Sequence, residues 1–242
     1  MSFYKMLSNY YDELFPSNQT QIAFIQSIIK DKHRILDVAA GTGNQSLELV
    51  KKGYEVTAID LDPEMVGKIR KKSTTMQLAV DAFELDMRDI NQLASNSFDA
   101  VICIGNSIVH LDTLEQIETC LTNIHSVLTD HGAIVVQIVN YERILKQQIS
   151  ELPVIKRPEH NLEFHRTYEL YNGKIKFNGK LIVEQSNQQE IFTNSVELIP
   201  LTSAHMKNAL EVTGFCDIQL FGNFSGEPFQ SDSPALIAVA YK

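Results

Sequence analysis

The chain has 242 residues, 44% hydrophobic and 21% charged. That balance excludes wholesale disorder and is enough for one large domain, or a domain with an insertion, without disulfide or zinc staples. The net charge of −9 argues against nucleic acid and anionic membranes as partners, because neutralised phosphates supply most non-specific affinity for polyanions.

The cysteines Cys103, Cys120 and Cys216 form no C-x-x-C pair, and the seven histidines show no ligand spacing, so no metal is expected. Cys103 lies in an apolar run and reads as a buried thiol of a reducing compartment. No apolar stretch approaches the roughly 18 residues of a membrane span. The N-terminus lacks a signal-peptide core. The expected location is the cytoplasm.

In chain order, the first strand is read at Arg34–Ala39, and its helix begins near Asn44 and stops at Gly53. The second strand is Tyr54–Asp60; Asp62 then caps a helix with Pro63 in its first turn. A short third strand is expected at Met76–Val80 and a fourth at Phe98–Ile104. Asp112, with Glu115 three residues on, reads as the N-cap of a helix whose stripe is Leu114, Ile117, Leu121, Ile124 and Leu128. Asp130-His131-Gly132 turns into a fifth strand, Ala133–Val139. Apolar strands alternating with helices predict a doubly wound, mostly parallel sheet covered on both faces.

After about residue 150 the pattern changes. Two Asn-Gly pairs, at 172–173 and 178–179, lie among β-rich runs and signal hairpins. Leu162–Leu170, Lys174–Phe177, Lys180–Gln185 and Gln189–Leu198 read as an antiparallel meander. A helix at Ser203–Val212 and strands at Cys216–Phe221 and Ala235–Tyr241 close the chain. The expected organisation is one α/β domain built from residues 1–149 and 200–242, with an antiparallel β insertion over 150–199. That insertion is either a substrate lid or a dimerisation surface, so a homodimer is one expected outcome.

The informative segment is Ile35-Leu36-Asp37-Val38-Ala39-Ala40-Gly41-Thr42-Gly43-Asn44. A strand ends, the chain turns on Gly41 and Gly43, and a helix starts; glycines there permit a tight turn and close approach of a ligand, with Ala39, Gly41 and Gly43 as candidate cofactor contacts. Open parallel sheets hold ligands at this carboxyl edge. A dinucleotide fold wants G-x-G-x-x-G/A, but the third position here is Ser46, and Asp37 beneath the loop disfavours a pyrophosphate. The acid suits a cation such as S-adenosylmethionine (SAM), which carries an ammonium and a sulfonium. Asp60 ends the second strand at the spacing of a ribose-binding acid. Leu61 and Met65 can pack on an adenine, and Asp86 with Met87 can meet its amino group and ring.

L-D-V-A-A-G-T-G, V-T-A-I-D, L-D-M and F-D-A-V-I-C-I-G-N-S, in order over residues 34 to 141, resemble the motifs of class I SAM-dependent methyltransferases. The resemblance implies a Rossmann-like, mostly parallel seven-stranded sheet. A nearer likeness is to the glycine N-methyltransferase group, in D-A-V-I-C-I-G-N-S-I-V-H-L and in N-Y-E-R-I-L from Asn140. By that resemblance Ile104 lines the cofactor, Asn106 helps hold the substrate, and His110 approaches the cofactor. An N-terminal aromatic closes over the cofactor, for which Tyr11 is the match. One departure stands out: Val139 occupies the place of the group's substrate-clamping arginine. Without that fork a small amino acid loses its strongest anchor. His165 and Arg166 on the insertion are the candidate replacements.

The expected function is SAM-dependent methylation of a small molecule, an amine first, by direct displacement at the sulfonium methyl. The alternatives are O- or C-methylation of a small metabolite, or SAM binding without turnover. The expected cofactor product is S-adenosylhomocysteine. No catalytic residue is assigned, His110 and Tyr11 being the candidates. Asn106, Ser107, Tyr141 and Arg166 are the candidate acceptor residues.

Overall fold

A computed structural model describes residues 7–185 and 188–242 of the chain. Helices α1 (Tyr11–Leu14) and α2 (Gln19–Ile29) precede an alternation of strand and helix: β1 (Arg34–Val38), α3 (Asn44–Lys51), β2 (Glu55–Asp60), α4 (Pro63–Met76), β3 (Val80–Glu84), β4 (Phe98–Cys103), α5 (Leu114–Val127) and β5 (Leu128–Val139). Then come α6 (Tyr141–Lys146), β6 (Glu151–Arg157), β7 (Leu162–Tyr171), β8 (Lys174–Gln185), β9 (Gln188–Leu198), α7 (Ser203–Val212), β10 (Cys216–Phe221) and β11 (Ala235–Tyr241).

The main sheet has seven strands in the order β3-β2-β1-β4-β5-β11-β10, with β11 antiparallel to both of its neighbours. Strand order reverses between β1 and β4, and such a switch point opens a crevice at the carboxyl edge. Helix α5 lays Ile117, Leu121 and Ile124 on one face of the sheet, fully buried, with Met206 and Leu210 of α7 beside them. Ile25 and Ile29 of α2 and Leu49 of α3 cover the other face. Each such side chain stabilises the fold by about 1.5–3 kcal/mol. Among the described residues no helix is long and apolar enough to cross a membrane.

A second, antiparallel sheet runs β6-β7-β8-β9. Its inner face presents Leu162, Phe164, Leu181 and Val183 to Leu7, Leu14, Tyr11 and Phe15 of the N-terminal segment. Further along, Tyr168, Ile175 and Leu198 join the main core beside Tyr141. The Ile199 N–H donates to the Val109 carbonyl (3.0 Å), tying the end of β9 to the loop after β4. The sheet therefore covers the edge at which β4 and β5 end.

Several expectations need correction. The third strand is not Met76–Val80: α4 runs to Met76, and the strand is Val80–Glu84. No residue from 71 to 75 stops the helix, and Gln77 supplies the left-handed cap instead of a glycine (φ +56°). As an edge strand with one neighbour, β3 exposes Asp81 and Glu84 and lacks the apolar run that marks its neighbours.

The cap of α5 is Thr113, not Asp112. The Thr113 hydroxyl accepts from Gln116 N–H, and the Gln116 side chain accepts from Asp112 N–H (2.9 Å), a variant of the capping box centred one residue later than expected. Leu128 belongs to β5, which begins there rather than at Ala133. Asn172-Gly173 is a hairpin turn with positive φ at both residues. Asn178-Gly179 is not: it stays extended inside β8, paired with β7 on one side and β9 on the other, so Lys174–Phe177 and Lys180–Gln185 are one strand. Strand β6 escaped the sequence reading because a bulge between Leu152 and Ile155, around Pro153, breaks its alternation.

Candidate active site

The turn after β1 needs left-handed backbone at Ala39 (φ +55°), Gly41 (φ +57°) and Gly43 (φ +79°). Both glycines also answer to space. A Cβ on Gly43 would lie 3.0 Å from Cγ1 of Ile69 on α4, and one on Gly41 would lie 3.3 Å from the Tyr11 ring. Gly43→Ala is expected to destabilise the protein by about 2 kcal/mol, from left-handed strain plus the clash. Urea unfolding checks it; a loss below about 0.5 kcal/mol would mean that α4 yields freely.

Asp37 is buried at the carboxyl end of β1 and accepts from the Ser46 hydroxyl (2.6 Å). Burial pushes its carboxyl up to about 7, with Asp60 adding repulsion and Ser46 offsetting part of the rise. Among the described residues it makes no ion pair. Asp60 grips the loop: its carboxylate accepts from Gly41 N–H (2.7 Å) and from Asp62 N–H (2.9 Å). Burial raises its pKa as well. Tyr11 lies over the glycine loop, its phenol pushed up to about 12 by burial and by Asp60, Asp37 and Asp12. Two insufficiently neutralised acids, one glycine loop and one aromatic ring thus share one small volume.

The N-terminal segment is fastened from several sides. Asp12 accepts from the Thr42 hydroxyl and pairs with Lys72 (2.9 Å). Asn44 Nδ2 donates to the Phe15 carbonyl (2.8 Å), and Arg157 of β6 donates to the Glu13 carbonyl (2.8 Å). The aromatic over the loop is therefore held by the glycine loop and its neighbouring helices on one side and by the second sheet on the other.

Along the edge, Leu61 is 65% exposed just beyond β2, while Met65 is buried on α4. Leu85 N–H donates to the Asp60 carbonyl (3.1 Å), which sets Asp86 next in line. Asp86 caps the 3-10 turn Met87–Gln92, and both of its oxygens face Arg88 (2.6 and 3.0 Å), which holds its pKa below the usual range. Met87 packs against the core.

Beyond β4, Ile104 is buried and Asn106 adopts φ +70°. Asn106 Oδ1 accepts from Val139 N–H (2.9 Å), and Nδ2 donates to the hydroxyl of Tyr141 (2.9 Å). Tyr141 is fully buried, which raises its phenol pKa. Ser107 precedes the 3-10 turn that ends at His110. His110 is exposed, and partial desolvation by the surrounding protein lowers its pKa. Tyr168 of β7 stands near Tyr141 and raises its pKa further.

The two candidate cations part company. His165 pairs with Glu163 (3.1 Å), two residues away on the outer face of β7, whereas Arg166 lies on the inner face with Phe164 and Tyr168. Cys103 is buried beneath the edge, and burial pushes its thiol up to about 12. Four contributions were missed from sequence: Ser46 as partner of Asp37, the Asp12–Lys72 fastening, Phe15 beneath Phe164, and Tyr168. Each depends on residues far apart in the chain, so no local pattern announces it.

A methyltransferase-domain family matches residues 35–132. The glycine/sarcosine N-methyltransferase of Aphanothece halophytica is 29% identical over 209 residues, covering 86% of this chain and 76% of that protein. Human glycine N-methyltransferase is 34% identical over 125 residues, covering 46% of this chain and 42% of its own. Among solved structures, a SAM-dependent methyltransferase from Clostridium acetobutylicum superposes with a TM-score of 0.81 at 17% identity, covering 98% of both chains. An amino pentose methyltransferase from Micromonospora echinaspora, solved with SAM bound, gives 0.77 at 18% identity over 98% of this chain and 96% of its own.

Fold, motif order and relatives together support a class I SAM-dependent methyltransferase. Within the class it stands near the glycine N-methyltransferase-like group.

Proposed function

We propose that this chain methylates the nitrogen of a small amine. The observation that carries the reading is the pair of buried Asp37 and half-buried Asp60 around the glycine loop, with no basic partner among the described residues. A burial that raises both pKa values is costly unless a cation arrives. S-adenosylmethionine supplies such a cation, and with it an electrophilic methyl whose bonding pair stays with sulfur on transfer.

The chain's own task is to hold, align and keep water out. Asp37 faces the positive charge, and Asp60, through its free lone pairs, takes ribose hydroxyls while fixing Gly41. Ala39, Gly41 and Gly43 let the backbone come close. Leu61, Met65 and Met87 cover the adenine, whose amino group Asp86 meets. Tyr11 and Ile104 wall the remaining sides, and His110 donates to the cofactor's carboxylate. Sequence relatives are named glycine/sarcosine N-methyltransferases, and the structural neighbours include an amino pentose methyltransferase and a sugar N-methyltransferase.

For the acceptor, Val139 N–H locks the oxygen end of the Asn106 amide, so Nδ2 keeps one N–H for a ligand. Ser107 and Tyr141 flank it. A neutral amine attacks through its own lone pair and needs no strong base. Residues 150–199 act as the lid, since their inner face packs on Tyr11, Phe15 and Tyr141.

Calorimetry with SAM, S-adenosylhomocysteine and NAD tests the ligand class. Both sulfur nucleosides are expected to bind with dissociation constants of about 1–100 μM, and NAD not at all. Transfer of labelled methyl from SAM to a panel of small amines then tests the reaction. Binding of NAD in preference, or labelling only of alcohols, would overturn the reading.

A further inference from the structure

Residues far apart in the chain meet at one carboxylate beside the glycine loop. Lys72 of α4 donates to both oxygens of Asp12 (3.0 and 2.9 Å) and to Oδ1 of Asn44 (2.9 Å). Those bonds use every N–H of the ammonium. Asp12 also accepts from the hydroxyl of Thr42, the residue between the two loop glycines. Asn44 opens α3 and donates from Nδ2 to the Phe15 carbonyl (2.8 Å). Asp12 thus ties the N-terminal segment to the loop and to α4 at once.

Thr42 makes this more than a surface ion pair. It is 1% exposed, and its hydroxyl donates to Asp12. A buried hydroxyl left without a partner is unfavourable. Seating of the N-terminal segment therefore satisfies Thr42. One residue back in the chain, the same seating lays the Tyr11 ring on Gly41. Tyr11 and Asp12 belong to one helical turn, Tyr11–Leu14, so its backbone carries both together. Phe15 backs the Tyr11 ring (5.0 Å between ring centres), and its carbonyl is the one that Asn44 holds.

The pair also stays within reach of dissolved ions. The side chains of Lys72 and Asp12 are 24% and 45% exposed. An open cavity of about 390 Å³, lined also by Asn9, Lys68, Lys71 and Thr75, lies against them. An ion pair in such a place is modest in strength and is screened by salt.

We propose that Asp12 and Lys72 are positioning residues for cofactor retention. Their pair holds Tyr11 over the glycine loop, and its strength sets how long the sulfur nucleoside stays bound. Both act through Tyr11 and not on the cofactor itself. The inference rests on the placement of Tyr11 against the cofactor in the reading above; it does not depend on the acceptor.

The test is a set of double-mutant cycles read by stopped-flow displacement of S-adenosylhomocysteine. Asp12→Asn keeps the volume and an oxygen for Thr42 but removes the charge. Lys72→Met removes the ammonium and keeps an apolar stem. Each is expected to speed dissociation about three- to fivefold, and the two together no more than either alone, since each breaks the same pair. Tyr11→Ala is expected to speed it about tenfold or more. Adding Asp12→Asn to Tyr11→Ala should then change the rate by less than about 1.5-fold. Salt gives a readout on the unmutated protein. Raising KCl from about 0.05 to about 0.5 M should speed release about twofold or more from wild type and leave Asp12→Asn unchanged, because this ligand carries no net charge.

The outcomes separate. Fast release from Tyr11→Ala with wild-type rates in Asp12→Asn and Lys72→Met would overturn the positioning role and leave Tyr11 on the cofactor. A wild-type rate in Tyr11→Ala would take Tyr11 off the cofactor, and the proposal would fall with it. An Asp12→Asn effect that persists in full beside Tyr11→Ala would also overturn it, assigning Asp12 to the glycine loop alone.

Discussion

Asp37→Asn is expected to make the unliganded protein more stable and the cofactor complex weaker. Asp37 has a folded pKa of about 7 against an ordinary value of 3.8. An acid whose folded pKa lies above its unfolded one costs stability as pH rises between the two values, and the full cost is present above pH 7. Asparagine keeps an oxygen for the Ser46 hydroxyl but has no charge to bury. At pH 8 the variant should gain about 2 kcal/mol, which for a chain of this size raises Tm by about 4–8 °C. At pH 4 the gain should vanish.

Binding of SAM should show the opposite sign. Below pH 7 the unliganded carboxyl is mostly protonated, and a cation must expel that proton. The dissociation constant should therefore fall by up to about tenfold per pH unit from pH 5.5 to 6.5 and level off above pH 7.5. Calorimetry in buffers of different ionisation enthalpy should register the released proton. S-adenosylhomocysteine, lacking the sulfonium, should show a shallower slope, and Asp37→Asn should flatten both. A wild-type affinity independent of pH from 5.5 to 7.5 would remove Asp37 from the cation's field.

Asp60→Ala is expected to weaken both sulfur nucleosides by about 1–3 kcal/mol, the scale of buried polar groups left without partners. The alanine removes the acceptor for Gly41 N–H as well as the one for a ribose hydroxyl. Asp60→Asn keeps one oxygen for Gly41 and should fall between wild type and alanine. Because the loop and the ligand share this carboxylate, the loss should appear chiefly as faster dissociation, read by stopped-flow displacement. Unchanged affinity in the alanine variant would take Asp60 out of the site and leave it as a loop clamp alone.

How much of this was legible beforehand differs between residues. The turn on Gly41 and Gly43, the cap at Asp62 with Pro63 behind it, and the closing strands Cys216–Phe221 and Ala235–Tyr241 were all read correctly. These depend on local quantities: allowed φ, a side-chain oxygen within reach of the next free N–H groups, and a run of apolar residues. Edge strand β3 failed the same test because it is buried on too little of its surface to carry an apolar run. Asn178-Gly179 failed because pairing on both flanks outweighs a dipeptide's preference for turning.

For the site, the sequence by itself determined that acids would stand beside a glycine turn at the carboxyl edge of a parallel sheet, because strand ends and spacing along one chain settle that. Tertiary structure alone decided what those acids touch. It brought Ser46 to Asp37 and Tyr11 to Gly41. It also chose between His165 and Arg166. Alternation along a strand dictates that neighbours point to opposite faces, but which face looks inward depends on what packs beneath it. Here Phe164 and Tyr168 are drawn onto the N-terminal helix and the main core, and the residue between them goes with them.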